Sequence, residues 1–442
     1  MSKRILLVVA LLILASVPLQ AVPYDFGGET FYIGQSIWFD KHFNWLTRDH
    51  FDDPRYAAHM EEVEELFNVN IEWELVGTGY PASAAIDYML PRIIAGEGNF
   101  IVTTGESAIP ILVANNLIMP VTEWINEEYF ERLPDPFKSL SSFVNFKGEN
   151  WAFQFGPRMM TEADVVYWNK DLFEELGLPN LYELYEAGEW TWEAMREIAI
   201  AVTADTDGDG EIDRFGVSAR YGPDEWSLMT RWIWTNGATL AKEIDGKIVF
   251  DADSDAAVES FEFWRELIEL GVWNPDWYAY RFDDGFVAMH IDLADDITYK
   301  RHVECNFGVV PLPKGPRADE HVAIEWRKWV AVLPITAPNP EAQIELWHAI
   351  FELAVPYIYD LEEWEDQYWE HISLLVRDEE SFENFKWVTQ NTQPAVLMDV
   401  FASVPGWDEA LRQIRHGEKD ARTAMAEMKP AVQAYLDEMF DQ

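Results

Sequence analysis

The chain has 442 residues, 49% of them apolar, long enough for one two-lobed body or for two or three ordinary domains. It carries 79 acidic against 32 basic residues, a formal net charge of −47, so its surface repels nucleic acid and anionic lipid and weighs against a strongly anionic ligand. Cys305 is the only cysteine, which excludes an intrachain disulfide and any cysteine-based metal site.

Lys3 and Arg4, an apolar run from Ile5 to Ala15 and a small-residue end at Ser16 to Ala21 predict a secretory signal peptide over 1–21, cut near Ala21. No cysteine follows it, so a lipid anchor is not expected. No other stretch approaches ~20 uninterrupted apolar residues. The mature protein is expected to be exported, periplasmic or extracellular, and soluble. Glu29 to Ile33 reads as a first strand, followed by a loop holding Trp38 and Asp40. Arg55 to Phe67 has helical apolar spacing, Val69 to Leu75 alternates as a strand, and a helix follows around Ala84 to Ala95. Phe100 to Val102 is a short buried strand with Thr103 to Ser107 as its loop. This strand–helix alternation argues an α/β fold with a substantially parallel sheet.

Phe146 to Phe153 reads as a hairpin leading to a crossing point near Phe155-Gly156-Pro157. Val165 to Trp168 is a strand, and the helix after it stops at Gly177. Thr191 is a plausible N-cap for the next helix. Helices are expected over Glu225 to Trp234, Asp255 to Leu270, Glu341 to Leu353 and Arg422 to Met439. Strands are expected at Phe215 to Ser218, Val287 to Ile291, Phe307 to Val310 and Trp329 to Leu333.

Between the helix after Thr191 and the strand at Phe215 lies Asp205-Thr206-Asp207-Gly208-Asp209-Gly210-Glu211-Ile212-Asp213. Asp205, Asp207, Asp209 and Asp213 occupy positions 1, 3, 5 and 9 of a 12-residue calcium loop, with Gly210 at the sharp bend. Glu211 would offer its backbone carbonyl. The twelfth position, where a bidentate Glu usually completes the shell, is Gly216. The expectation is a structural Ca²⁺ that pins a long helix-to-strand turn of mutually repelling carboxylates.

Several pieces, in order, resemble one family. They are Tyr167-Trp168-Asn169-Lys170-Asp171-Leu172-Phe173 through Gly177-Leu178-Pro179, then Trp190-Thr191-Trp192-Glu193. Next come Thr235-Asn236-Gly237-Ala238-Thr239-Leu240, then Phe282 to Met289, and last Phe307 to Pro316. Across nearly the whole mature chain this resembles the extracellular solute-binding proteins of ABC importers, sugar-binding class, maltose-binding-like. Some members also resemble it in carrying an Asp-rich calcium loop at this place. Asn99-Phe100 departs from the family's usual Pro-Asp, and Tyr357 to Trp369 looks like an insertion or altered helix.

The resemblance implies an α/β, two-lobed periplasmic-binding-protein fold (type II-like) with a ligand cleft between lobes and several hinge crossovers. The first lobe would hold 22–154 plus 285–335. The second would hold 155–284 plus 336–442 and carry the calcium loop. The ligand would be a mono- or oligosaccharide, the partner an ABC permease, and the protein a monomer without enzymatic activity.

A sugar cleft pairs flat aromatics with carboxylates and Arg. The loops at strand ends hold that mixture in Trp38, Asp40, Glu106, Arg158, Glu162, Glu225, Trp226, Asp292, Trp326 and Trp329. Trp226 and Trp326 are the expected stackers; Asp40, Glu106 and Asp292 are the expected hydroxyl partners. No metalloprotease helix, serine elbow or phosphate loop is present. The alternatives are a secreted carbohydrate-active enzyme using paired carboxylates and calcium, or the same fold binding a peptide or polyamine.

Overall fold

The computed structural model describes residues 24–36, 54–77, 81–133, 137–154, 161–220, 222–223, 226–275, 280–298, 300–325, 327–351, 361–395 and 397–440. In chain order the elements used below are β1 (Thr30–Ser36), α1 (Pro54–Phe67), β2 (Asn70–Gly77), α2 (Pro81–Ile94), β3 (Phe100–Gly105), β4 (Asn145–Phe146), β5 (Glu149–Asn150) and β6 (Phe153–Gln154). There follow β7 (Asp164–Asn169), α3 (Lys170–Leu176), α4 (Trp192–Val202), β8 (Phe215–Ala219), β9 (Ala241–Ile244), β10 (Lys247–Phe250), α5 (Asp255–Glu269), β11 (Val287–Leu293) and β12 (Phe307–Pro311). The last are β13 (Ala323–Glu325), β14 (Trp329–Val332), α6 (Pro340–Phe351), α7 (Leu361–Leu375), α8 (Glu379–Gln390), β15 (Thr392–Pro394), α9 (Met398–Ala402), α10 (Trp407–Arg415) and α11 (Ala421–Phe440).

Two sheets organise the chain. The first has the order β2-β1-β3-β14-β6. Its first three strands are parallel, and β14 and β6 pair antiparallel. The second has the order β12-β7-β11-β8, and there only β11 and β8 are parallel. The expectation of a substantially parallel sheet therefore holds for half of the first sheet and fails for the second. In the second, β7 enters from the hinge and runs against its neighbours.

Helices start where the sequence supplies acceptors. Asn169 caps α3 by accepting from the Leu172 amide, and Thr191 caps α4 from the Ala194 amide. Gly177 closes α3 at φ 65°, a conformation that favours glycine. Strands β3, β7 and β11 are buried along their whole length, hence their continuous apolar runs. The second lobe is glued by aromatics: Trp192, Trp232 and Phe263 stack with near-parallel rings, the closest pair at 4.7 Å. Each fully buried ring contributes roughly 1.5–3 kcal/mol through apolar burial. Trp168, Trp190 and Trp192 are core residues, with exposures of 2%, 0% and 4%.

The lobe boundaries differ from expectation. Strands β11 and β12 lie in the second sheet, hydrogen-bonded to β7, so 285–311 is not part of the first lobe. Helix α6 belongs to the first lobe: it packs on α1, Trp347 meets Phe153 at 6.1 Å, and Gln343 donates to the Gly98 carbonyl at 2.9 Å. The sequence resemblance marked strands without fixing which sheet received them; the pairing partners decide that. Of the segment 357–369, residues 357–360 lie outside the described residues and 361–369 are in helix α7, which packs beside α8. Helix α8 clasps β12 through Ser381 and Asn384. Cys305 is half-buried and touches the second lobe's core.

Among the described residues no helix is long and apolar enough to cross a membrane. The predicted leader lies outside them.

Candidate functional site

The candidate site residues gather at one end of each sheet. In the first lobe β3 ends at Gly105, which pairs with Trp329 at the start of β14. In the second lobe the ends of β8 and β11 sit with the start of β7 and the end of β12, through the pairs Ile291 with Ala219, Leu293 with Asp164, and Pro311 with Val165. In open α/β sheets such edges are where ligands bind. Residues 161–163 run between the lobes. Ala163 and Thr161 accept from the Ala294 and Asp295 amides, and Ala163 bridges Glu325 on the return crossing.

Three side-chain contacts join the halves. Trp329 Nε1 donates to Glu162 Oε1 at 3.2 Å. Glu325 Oε1 accepts from the Glu162 amide at 3.3 Å. Ser107 Oγ, one residue past Glu106, donates to Asp399 Oδ2 at 2.8 Å. Asp399 belongs to α9, whose Phe401 stacks on Phe250 of the second lobe at 5.9 Å.

On the first edge Glu106 is locked by its own backbone and by Lys328. The Glu106 amide donates to the Lys328 carbonyl at 2.8 Å, and the Lys328 amide donates to Glu106 Oε2 at 2.5 Å. Burial pushes the Glu106 carboxyl up to about 8, and the nearby Glu325 and Asp399 add to that. Lys328 Nζ pairs with Glu325 at 2.9 Å, and Arg327 lies over the Trp329 ring at 5.3 Å.

The second edge carries a buried network. Asp292 accepts from Lys300 at 3.0 Å and faces His290 Nε2 at 3.1 Å; His290 Nδ1 meets Ser218 Oγ at 2.7 Å. Burial opposes the charge on Asp292, but Lys300 and His290 overcome it and hold the carboxyl well below its ordinary range. Asp296 goes the other way, up to about 10, through burial and the Asp292 charge. Arg220, just past β8, contacts Asp296 at 2.8 Å and Asp292 at 3.9 Å. Beside it Asp164 holds Arg231 through two bonds of 2.6 and 2.9 Å, and Arg231 also donates to Ser227. That anchors the short helix Trp226–Arg231 to β7.

Of the expected cleft residues, Glu106, Glu162 and Trp329 come together on the crossing. Trp226 is half-buried at the start of its helix. Asp292 lies within β11, not in a loop after it, and its carboxylate is engaged by Lys300 and His290. The predicted end of β3 was also short: Thr103 to Gly105 are strand, which moves the edge to Glu106. Trp38, Asp40, Arg158, Glu225 and Trp326 lie outside the described residues. Arg220, Glu325, Lys328 and Asp399 were missed. Arg220 follows a strand end, so the rule that found Glu106 could have found it; Asp399 has no such signal, since only the fold brings it to Ser107.

The acidic loop brings carboxylates together. One ligand oxygen each from Asp205, Asp207 and Asp209 lie within 4.8 Å of one another. Asp205 accepts from the Gly208 and Gly210 amides at 2.6 and 2.8 Å, and Asp213 accepts from the Thr206 amide and hydroxyl at 3.0 and 2.7 Å. Three converging carboxylates fit a hard cation. Glu211 is exposed. The missing twelfth ligand has a packing cause. Gly216 lies inside β8, and a Cβ there would stand 2.3 Å from Ala199 Cα of α4.

The sequence profile of the bacterial extracellular solute-binding proteins matches residues 53–349. The fructooligosaccharide ABC transporter substrate-binding protein FusA of Streptococcus pneumoniae is 23% identical over 301 residues, 61% of this chain and 52% of that protein. A putative binding protein of Brucella abortus is 22% identical over 276 residues, 59% of this chain and 61% of that one. The chain thus spans between half and about three-fifths of the length of the curated relatives it matches. Among solved structures, a cyclo/maltodextrin-binding protein complexed with maltotetraose superposes with a TM-score of 0.63 at 14% identity, covering 92% of this chain and 96% of that one. The maltose/maltodextrin-binding domain of Bdellovibrio bacteriovorus bound to maltotriose gives 0.60 at 14% identity, covering 93% and 100%. At that identity the likeness establishes the two-lobed fold.

Proposed function

The chain belongs to the bacterial extracellular solute-binding proteins, and on that premise we propose that it captures a mono- or oligosaccharide between its lobes and delivers it to the permease of an ABC importer. One observation carries the reading most: the end of β3 and the start of β14 meet α9 and the crossing before β7 through Ser107–Asp399 and Trp329–Glu162, and carboxylates, guanidinium and indole gather there. These groups bind hydroxyls and the apolar faces of sugar rings. FusA, whose name assigns it fructooligosaccharide, supports the same ligand class.

Binding works here by closure. A ligand that touches both edges at once favours the closed form by its differential affinity, and the closed form is what the permease meets. No bond is made or broken in the solute. The protein acts as an exported monomer after cleavage of its leader. A Ca²⁺ held by Asp205, Asp207 and Asp209, with Asp213 and the Glu211 carbonyl nearby, staples the turn between α4 and β8 and takes no part in ligand contact.

The test is a thermal-shift panel of mono- and oligosaccharides, with the sugar recovered afterwards. The expected result is a raised melting temperature and unchanged sugar. Turnover at catalytic rates, or silence from every sugar, defeats the reading.

A further inference from the structure

Resting on the saccharide reading above, we propose that the ligand carries a basic amino group that docks on the Glu106 carboxylate, so that the cleft selects amino sugars over their neutral counterparts. The geometry of the first edge carries this. Four carboxylates, Glu106, Glu162, Glu325 and Asp399, gather there, and all are at least nine-tenths buried. Among the described residues, Arg327 lies beside Glu106 and Lys328 beside Glu325.

The partners of these carboxylates show where the deficit falls. Glu325 Oε1 takes the Glu162 amide, and Oε2, though without a hydrogen bond, has the Lys328 Nζ cation against it at 2.9 Å. Glu162 takes the Trp329 indole, and Asp399 takes the Ser107 hydroxyl. Glu106 Oε2 takes the Lys328 amide. Glu106 Oε1 is buried and has no hydrogen-bond partner among the described residues. It belongs to the first residue past β3, on the edge that faces the second lobe.

A buried carboxylate oxygen without a donor is costly, and more so inside a negative cluster. A sugar hydroxyl supplies the hydrogen bond but leaves the charge. An ammonium supplies both. In the ligand-free protein a proton fills this role, consistent with the raised Glu106 pKa. An incoming ammonium therefore displaces that proton to solvent: the N–H···O contact forms, the Glu106 O–H bond breaks, and one proton leaves to buffer. Neutral sugars displace none. Arg327 keeps its place over Trp329, and Lys328 stays with Glu325.

The experiment is calorimetric titration of the full protein at pH 6.5, in two buffers of different ionisation enthalpy. The ligands are matched pairs: glucose and glucosamine, galactose and galactosamine, cellobiose and its fully de-N-acetylated chitobiose counterpart. The expected result is that the amine of at least one pair binds about ten- to a hundredfold tighter than its neutral partner and releases close to one proton. Glu106→Gln is expected to shrink that ratio toward one. Asp399→Asn, which keeps an acceptor for Ser107, is expected to shrink it less and guards against a fold defect in the first variant. Equal or weaker binding of the amines, or tight amine binding without proton release, overturns this inference and leaves the saccharide reading standing. Failure of both members of every pair overturns the two together.

Discussion

Trp329 Nε1 donates to Glu162 Oε1 at 3.2 Å, and this bond ties the return crossing of the hinge to the outward one. Both residues belong to the proposed cleft, so under that proposal the contact couples ligand site and hinge. Trp329→Phe keeps the ring under Arg327 and removes the donor. Ligand affinity is expected to fall about three- to tenfold, the worth of one hydrogen bond. Calorimetry measures this; an unchanged Kd means that the bond persists in the open form and does not distinguish the two.

Ser107 and Asp399 meet farther out, where β3's edge touches α9. The acceptor is a carboxylate buried to 3% exposure, so the bond is of the stronger kind, about 1.5–3 kcal/mol. If opening the lobes breaks it, Asp399→Ala lowers affinity roughly tenfold or more while the ligand-free melting temperature hardly moves. A drop in stability equal to the loss of binding would place the contact within one rigid body.

The Asp164–Arg231 pair makes a different prediction, because its partners are 2% and 4% exposed and both are on the second lobe. Arg231→Met strands a buried carboxylate and is expected to cost about 3–5 kcal/mol. Adding Asp164→Asn should recover much of that. Denaturant unfolding of the two variants and the double mutant measures the coupling. Because the pair anchors the helix that starts at Trp226, the single variant should also weaken binding.

Much of this was legible in the sequence, for identifiable reasons. Helix α3 was marked by its stop at Gly177 and α4 by its cap, Thr191, both of which act locally. Buried strands announced themselves as apolar runs. What the sequence hid depends on distant partners. Nothing near Val287 or Phe307 says that both strands pair with β7. Nothing near Asp399 says that it meets Ser107, 292 positions away. Asp292 shows the converse: its place at a strand end suggested a ligand contact, while His290, two residues before it on the strand, and Lys300 already occupy it. Among 79 acids the informative ones are those the fold buries.

The acidic loop yields a prediction that separates stability from binding. Its donors sit between α4 and β8, with β8 pairing onto β11. Chelation is expected to lower the melting temperature, and millimolar Ca²⁺ to restore it by the mass-action amount. Ligand Kd should change less than about twofold. Gly216→Glu, which would supply the missing twelfth ligand, is expected to destabilise instead. Its Cβ would collide with the α4 backbone at Ala199. A tighter calcium site with undiminished stability in that variant would refute the packing explanation.

Glu106 gives the pH dependence. Burial holds its carboxyl up at about 8, against an ordinary value of 4.5. Between those values the folded protein keeps a proton that the unfolded chain has released. Stability from this group is therefore full below about 4.5 and is lost as pH rises through 8. Asp292 works in the opposite sense, but only below the ordinary Asp range of 3.8; Asp296, held up at about 10, loses stability across this same window, but equally in the wild type and in Glu106→Gln, so the comparison cancels it. The ligand-free melting temperature of the wild type is thus expected to fall from pH 5 to pH 8.5 relative to Glu106→Gln, whose amide cannot ionise. The difference should amount to a few kcal/mol at most. Parallel curves for the two proteins would show that Glu106 is ionised throughout, and would remove the proton that an incoming ammonium is expected to displace.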